Sequence, residues 1–179
     1  MARIAACSGK DIIVTALDCE ITLATVDDIP GIVELQGSNL LSNGGFLSIE
    51  FPNDWFERVL PEMPIIVARK NNRIVGYLVS SPVSVAAHAP IIQAKLRAYP
   101  GSANPYNHGP VCIAKDERNQ GLIARMFEAL RERLRGREGI AFVRRDNAAS
   151  LSAHAKLGMR QVAEFTHDGV AYVVVAYIA

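Results

Sequence analysis

The residues with the most chemical potential fall in two short stretches. Arg118-Asn119-Gln120-Gly121 follows an apolar run and opens a helical pattern, and Asn147 to Met159 (NAASLSAHAKLGM) opens another. A helix start leaves several backbone N–H groups without partners, and its dipole adds partial positive charge, so the first stretch suits an anion. Gly121 lets such a group approach the backbone. Asp116 and Glu117, just ahead, are equally plain caps for that helix. In the second stretch, helical geometry of about 100° per residue sets Asn147, Leu151 and His154 in one row. Asn147 is also a good N-cap, and His154 among alanines also reads as a packing residue. His108 lies just before the apolar run, with its side chain expected on the same side as Cys112.

Other chemistries find less support. Cys112, His154 and Asn147 are the residue types of a thiol-nucleophile set, but Cys112 sits in an apolar strand with no helix start to stabilise a thiolate. No CxxC, HxxxH or HExxH spacing occurs, so no metal is expected. No GxxxxGK[ST] or GxGxxG pattern occurs either, which removes nucleotide hydrolases and dinucleotide enzymes. Nineteen Lys and Arg against eighteen Asp and Glu give a formal charge of +1, without the surplus that nucleic-acid or anionic-membrane binding uses. The basic run Arg131 to Arg137 reads as the solvated end of a helix. Cys7, Cys19 and Cys112 are odd in number and unclustered, which points to a reducing cytoplasm. No signal peptide and no membrane span are expected, since no apolar run approaches about 18 residues.

With 179 residues, half of them apolar, the chain fits one α/β or α+β domain over residues 19–179, preceded by an arm or extra strand over residues 1–18. Alternation at Ile21 and Leu23 predicts a strand. A helix follows to about Leu40, with Asp27 or Asp28 as its cap and Pro30 in its first turn. A second helix is expected from Ser48 to Leu60. Two β-rich runs, Ile65 to Arg69 and Ile74 to Ser80, flank the turn Lys70-Asn71-Asn72-Arg73 and predict a hairpin. Residues 82 to 108 form a long excursion with a helix around Ile91 to Tyr99, the kind of insertion that more often binds than idles. A strand from Pro110 to Ala114, a helix from Gly121 to Arg135 and a strand from Ile140 to Val143 follow. A helix from Asn147 to Leu157 and strands near Arg160 to Phe165 and Val170 to Ile178 complete the chain.

Together the two stretches resemble the GCN5-related N-acetyltransferase (GNAT) superfamily, whose pattern is (Q/R)xxGx(G/A) and then Nxx(A/S)xxx(Y/H)xxxGF. The match runs through Arg118, Gly121, Asn147, Ser150, His154, Gly158 and Met159, and the element order agrees from about Cys19 to Ile178. Ile123 replaces the second small residue of the first motif, with Ala124 next. His154 stands where many relatives have tyrosine, as in those resembling phosphinothricin-type acetyltransferases.

The resemblance implies a mixed, mostly antiparallel twisted sheet, flanked by four or five helices and split between the strands at Val111 to Ile113 and Ile140 to Val143. Acetyl-CoA would lie in that cleft. Its pantetheine would pair with backbone at Val111 and Ile113. Its pyrophosphate would rest on the amides of Arg118, Asn119, Gln120, Gly121, Leu122 and Ile123, with Asn147 and His154 touching the pantetheine arm. His154 would orient the thioester or protonate the departing thiolate, and His108 would be the base. The implied reaction is direct acetyl transfer to a primary amine of a small molecule or amino acid. The acceptor pocket is expected from Asn39 to Phe51, from the 82–108 excursion with Tyr99 and Tyr106, and from the turn His167-Asp168-Gly169. The alternatives are a peptide N-terminal acetyltransferase, a non-catalytic acyl-CoA sensor, or an interaction domain that has lost the ligand. The assembly is expected to be a monomer or homodimer.

Overall fold

The computed structural model describes residues 19–179 apart from Ser48 and His88, so the arm or strand expected over residues 1–18 lies outside it. Strand β1 (Glu20–Leu23) leads through a 3-10 turn into helix α1 (Ile29–Gly37). Pro30 occupies the first turn of α1, where its missing N–H removes no helical bond. Asp28 stands at the N-cap but makes no capping bond to α1. Its carboxylate instead accepts from the Thr25 amide at 2.7 Å, from the Thr25 hydroxyl at 3.0 Å and from Arg69 on the neighbouring strand.

Helix α2 (Asn53–Val59) starts later than the expected Ser48. Pro52 disfavours a helical conformation at Phe51. The Gln36 side chain grips the Phe51 backbone instead, donating to its carbonyl at 2.8 Å and accepting from its amide at 3.0 Å. Strands β2 (Ile65–Lys70) and β3 (Arg73–Pro82) form the expected hairpin. Asn71 and Asn72 take φ of 51° and 60°, the left-handed pair of a twist-matched two-residue turn. Val75 to Ser81 are all buried, as befits a central strand covered on both faces.

The remaining elements are α3 (Pro90–Ala98), β4 (Tyr106–Ile113), α4 (Leu122–Arg133), β5 (Glu138–Arg144), α5 (Ala148–Lys156), β6 (Arg160–His167) and β7 (Val170–Ile178). The seven strands form one sheet in the order β1-β2-β3-β4-β5-β7-β6, antiparallel everywhere except at β4 and β5. That is the mixed, mostly antiparallel sheet expected, flanked by α1 to α5.

The parallel contact is brief. Only Tyr106 with Gly139 and Asn107 with Ile140 are paired, after which β4 stays with β3 and β5 with β7. Strand β4 thus begins at Tyr106 rather than at Pro110, and His108 lies inside it. Against β3, Ser80 faces His108 while Leu78 faces Val111, so β4 carries an extra residue at a bulge around Gly109 and Pro110. Pro110 has no N–H to offer a further rung. The bulge also reverses the side-chain alternation. His108 packs on Phe127 of α4, with ring centroids 5.8 Å apart, whereas Cys112 stands opposite Tyr77 on the other face. The two therefore do not share a side, contrary to the strict alternation assumed from sequence.

At the closed end of the split, the rings of Tyr106 and Tyr177 meet edge to face and their hydroxyls bond. Gly139 makes this possible, because a Cβ there would lie 2.5 Å from a Tyr177 ring carbon and 2.8 Å from the Tyr106 ring. We expect Gly139→Ala to lower stability by about 1–3 kcal/mol, the usual cost of overpacking. Urea unfolding of the two proteins checks this, and equal midpoints would mean the tyrosine pair does not need that space.

Candidate active site

The parting of β4 and β5 opens a cavity of about 470 Å³, within the range of small-molecule sites. The Ala114 amide donates to Val75 at 2.8 Å. Antiparallel alternation then commits Cys112 to β3 and turns the backbone amides and carbonyls of Val111 and Ile113 toward the gap. Beyond β4 the chain makes a 3-10 turn at Lys115–Glu117 and enters α4. Asn119 and Gly121 adopt φ of 63° and 77°, and Gly121 is the N-cap. Among the described residues nothing accepts from the amides of Asn119 to Ala124, which leaves a curved row of free N–H groups at a helix start.

The acidic residues beside this row do not cap α4. Arg73 holds Asp116 at 3.0 Å and Lys70 holds Glu117 at 2.8 Å, so their charge is offset within the chain. Arg118 makes no ion pair among the described residues. Its Nε donates to the Ile113 carbonyl at 3.2 Å and its Nη2 to Asn39 at 2.9 Å, which lays it across the mouth of the cavity. Val111, Ile113, Arg118, Asn119, Ile123, Asn147, His108 and His154 all line the wall. Gln120, Gly121 and Leu122 do not, and offer backbone only. The Gln120 side chain turns back to the Asp116 carbonyl, and Leu122 is buried in the core.

Asn147 caps α5, accepting from the Ser150 amide at 3.0 Å. That helix presents His154, which is buried. Its Nδ1 lies 2.7 Å from the Ser150 carbonyl. A carbonyl only accepts, so Nδ1 carries the hydrogen and Nε2 of the neutral ring holds a lone pair. Burial pushes the pKa of His154 below 6.5. His108 Nδ1 meets the Tyr177 hydroxyl at 3.0 Å, and that hydroxyl also meets Tyr106. The arrangement that gives each buried O–H an acceptor runs from Tyr106 to Tyr177 to His108 Nδ1, which puts the His108 hydrogen on Nε2. Burial, with the nearby His154 adding to it, pushes His108 down to about 3. The two rings stand nearly perpendicular, 6.1 Å apart. The wall thus carries one acceptor nitrogen and one N–H donor. Burial also pushes the Cys112 thiol up to about 11, which removes it as a thiolate nucleophile.

Residues 40–159 match the family described as acetyltransferase (GNAT) family. The chain belongs to this GNAT family. As a member it is an N-acetyltransferase with acetyl-CoA as co-substrate. No curated protein matches the sequence. Among solved structures, the putative acetyltransferase yncA from Salmonella typhimurium with its cofactor acetyl-CoA shares the fold at TM-score 0.63 and 19% identity. The match covers 89% of this chain and 93% of that one. A phosphinothricin acetyltransferase from Sinorhizobium meliloti in complex with AcCoA gives 0.65 and 15%, over 90% and 88%. A ribosomal-protein-alanine N-acetyltransferase from Brucella melitensis gives 0.63 and 21%, over 89% and 99%.

Of the segments expected to take the acceptor, only some line the cavity. Asn39, Gly44 to Leu47, Ile49 and Phe51 do line the cavity. Tyr99 and Tyr106 do not. Tyr99 bonds Glu138 at 2.8 Å and Tyr106 closes the base of the split, each drawn inward by a buried partner. The turn His167-Asp168-Gly169 is likewise off the wall. Sequence reasoning missed Lys95 and Asn107. Lys95 breaks the apolar face of α3 that Ile91 and Ile92 begin, and a lone cation on such a face was the available signal. Among the described residues no cluster of His, Cys, Asp or Glu could hold a metal, and no helix is long and apolar enough to cross a membrane.

The buried histidines make stability depend on pH with a definite sign. Unfolded, each takes up a proton near 6.5, while folded His108 resists down to about 3. Stability is therefore full above 6.5 and falls as pH drops, because the unfolded chain binds more protons. Between 6.5 and 4.5, above the ordinary carboxylate range, we expect this loss in urea unfolding and a shallower loss in His108→Gln. A flat dependence in the parent protein would contradict the buried neutral state.

Proposed function

We propose that the chain moves the acetyl group of acetyl-CoA directly to a primary amine of a small molecule or amino acid. One observation carries this reading: the free amides of Asn119 to Ala124 lead into a cavity whose wall holds both His108 and His154. The amides and Arg118 would take the pyrophosphate, and the gap-facing backbone of Val111 and Ile113, with Asn147, would take the pantetheine. The thioester then reaches the histidines. The amine nitrogen attacks the carbonyl carbon, the C–N bond forms, the C–S bond breaks and the thiolate leaves.

The hydrogen bonds favour moving the base role expected of His108 to His154, which keeps its expected part in protonating the thiolate. His154 Nε2, the lone-pair nitrogen, takes the proton of the attacking amine and passes it to the thiolate sulfur. His108 is too weak a base at about 3, so its Nε2–H serves as a donor to the oxygen that gains charge. Proton transfer of this kind contributes about 10²–10⁴-fold, and holding amine and thioester together supplies much of the rest. The segment from Asn39 to Phe51 and α3 bound the acceptor side of the cavity, which favours a compact acceptor over a peptide terminus.

Thiol release from acetyl-CoA, followed across small amines, amino acids and peptides with free N-termini, tests this. Small amines should release thiol. His154→Gln should lower kcat/KM by about 100-fold or more. The parent pH–rate profile should steepen on the acid side below 6.5, since His154 must be unprotonated to accept, and the variant should lack that steepening. A silent panel with tight acetyl-CoA binding would identify a sensor instead, and a preference for peptides would identify a terminal acetyltransferase.

A further inference from the structure

Lys95 is 1% exposed, yet it lines the same cavity as the histidines. Its ammonium donates to the Asn107 carbonyl oxygen at 2.5 Å, and among the described residues no carboxylate pairs with it. Asn107 cannot be reversed to do otherwise, because its amide nitrogen donates to the Pro82 carbonyl at 3.2 Å and toward the Ser81 hydroxyl at 3.3 Å. The ammonium has three hydrogens and Asn107 accepts one. A buried cation with one neutral partner is costly, and burial alone pulls its pKa down to about 8, so it remains mostly charged near neutrality. A plain structural tie between α3 and β4 would be made more cheaply by an uncharged donor.

The surroundings select the missing partner. Asn107 is adjacent to His108 in β4, so strand alternation puts it on the opposite face, away from α4. Apolar Ile92, Phe142 and Tyr172 line this part of the wall. Of the other cations on the wall, Arg144 already holds Asp146 at 2.6 Å, and Arg118 is bonded to Ile113 and Asn39. That leaves one unneutralised charge beside two neutral hydrogen-bonding groups, which matches a monoanion rather than a phosphate.

We propose that Lys95, with Asn107 and Ser81 beside it, receives the carboxylate of the acetyl acceptor, so that the substrate is a primary amine bearing a carboxylate, as an amino acid does. This rests on the acetyl-transfer reading and names its substrate class. The carboxylate docks on the α3 side of the gap, and the amine at the other end of the same small molecule turns toward the thioester.

The experiment compares amino acids with their own carboxamides as acceptors, in the parent protein, in Lys95→Met and in Lys95→Gln, which keeps a neutral donor for Asn107. The parent should prefer the acids by on the order of 10- to 100-fold in kcat/KM, the size of one hydrogen bond to a charged group. Both variants should lose that preference, the acids losing more kcat/KM than the carboxamides, while the KM for acetyl-CoA stays unchanged. Equal or better use of carboxamides by the parent overturns the proposal, as does a preference that survives in the variants. If no amine releases thiol, the acetyl-transfer reading fails separately, and thermal shift with the same acids decides this one. Stabilisation of the parent by acids but not carboxamides, absent in Lys95→Met, supports it. Failure of every acid to raise the parent's Tm overturns it.

Discussion

The architecture turns on two rungs of parallel pairing between β4 and β5 and on what holds them shut. Tyr106 and Tyr177 join hydroxyls beneath the split, over a residue that must be glycine, and Tyr177 passes the hydrogen-bond chain on to His108. Above those rungs the bulge at Gly109 and Pro110 ends the pairing and releases β4 backbone into a gap. A seam closed at one end and open at the other is a cleft with rigid walls. Each group on the cleft then inherits its position from regular structure: Val111 and Ile113 from strand alternation, the free amides from a helix start, and His154 from a helix capped by Asn147. The same tyrosines tie fold to chemistry, since they set which nitrogen of His108 bears hydrogen.

Burial does the electrical tuning. Two histidines and a lysine are taken out of water here with no carboxylate partner among the described residues, and burial shifts each toward its neutral form. Elsewhere the chain compensates buried charge. Asp28 has Arg69, and Glu117 has Lys70. Buried Glu138 is opposed by its own desolvation, yet the Ser102 amide and the Tyr99 hydroxyl still hold its pKa low. The contrast separates these charges, which are paired inside the protein, from His108, His154 and Lys95 on the cavity wall, which have no carboxylate partner among the described residues. Unpaired burial costs stability and persists where a ligand can repay it.

Much of this was legible in the chain, for local reasons. The hairpin followed from Asn71-Asn72 between apolar runs, and the two motif stretches follow helix-start chemistry at Gly121 and Asn147. The errors were non-local. A Gly-Pro step reads as the start of a strand, and only pairing with β3 reveals a bulge inside a longer one, so the reversed orientation of His108 could not be read from alternation. Tyr99 and Tyr106 looked like pocket aromatics because nothing nearby in sequence announced Glu138 and Tyr177 as partners. Lys95 was visible as a polar break in an apolar face, but its meaning depends on the absence of an acid nearby in space. The tautomers of both histidines depend likewise on a carbonyl one turn back in α5 and on a hydroxyl from β7.

In the proposed transfer to an amine, the low polarity of the cleft bears on the hardest requirement, an acceptor free of its proton. The desolvation that lowers Lys95 and both histidines acts equally on any ammonium that enters, lowering its pKa and easing proton loss. Neutral histidines do not repel an incoming cation, as an imidazolium would, and in the proposed reaction His154 would offer the proton a lone pair on arrival. The positive charge on the wall that no carboxylate pairs with, among the described residues, is carried by Arg118, beside the helix-start amides, and by Lys95 on the α3 side, while both histidines are neutral. An overall charge of +1 conceals this division, because the field that matters is carried by a few groups whose acidic neighbours are already engaged elsewhere.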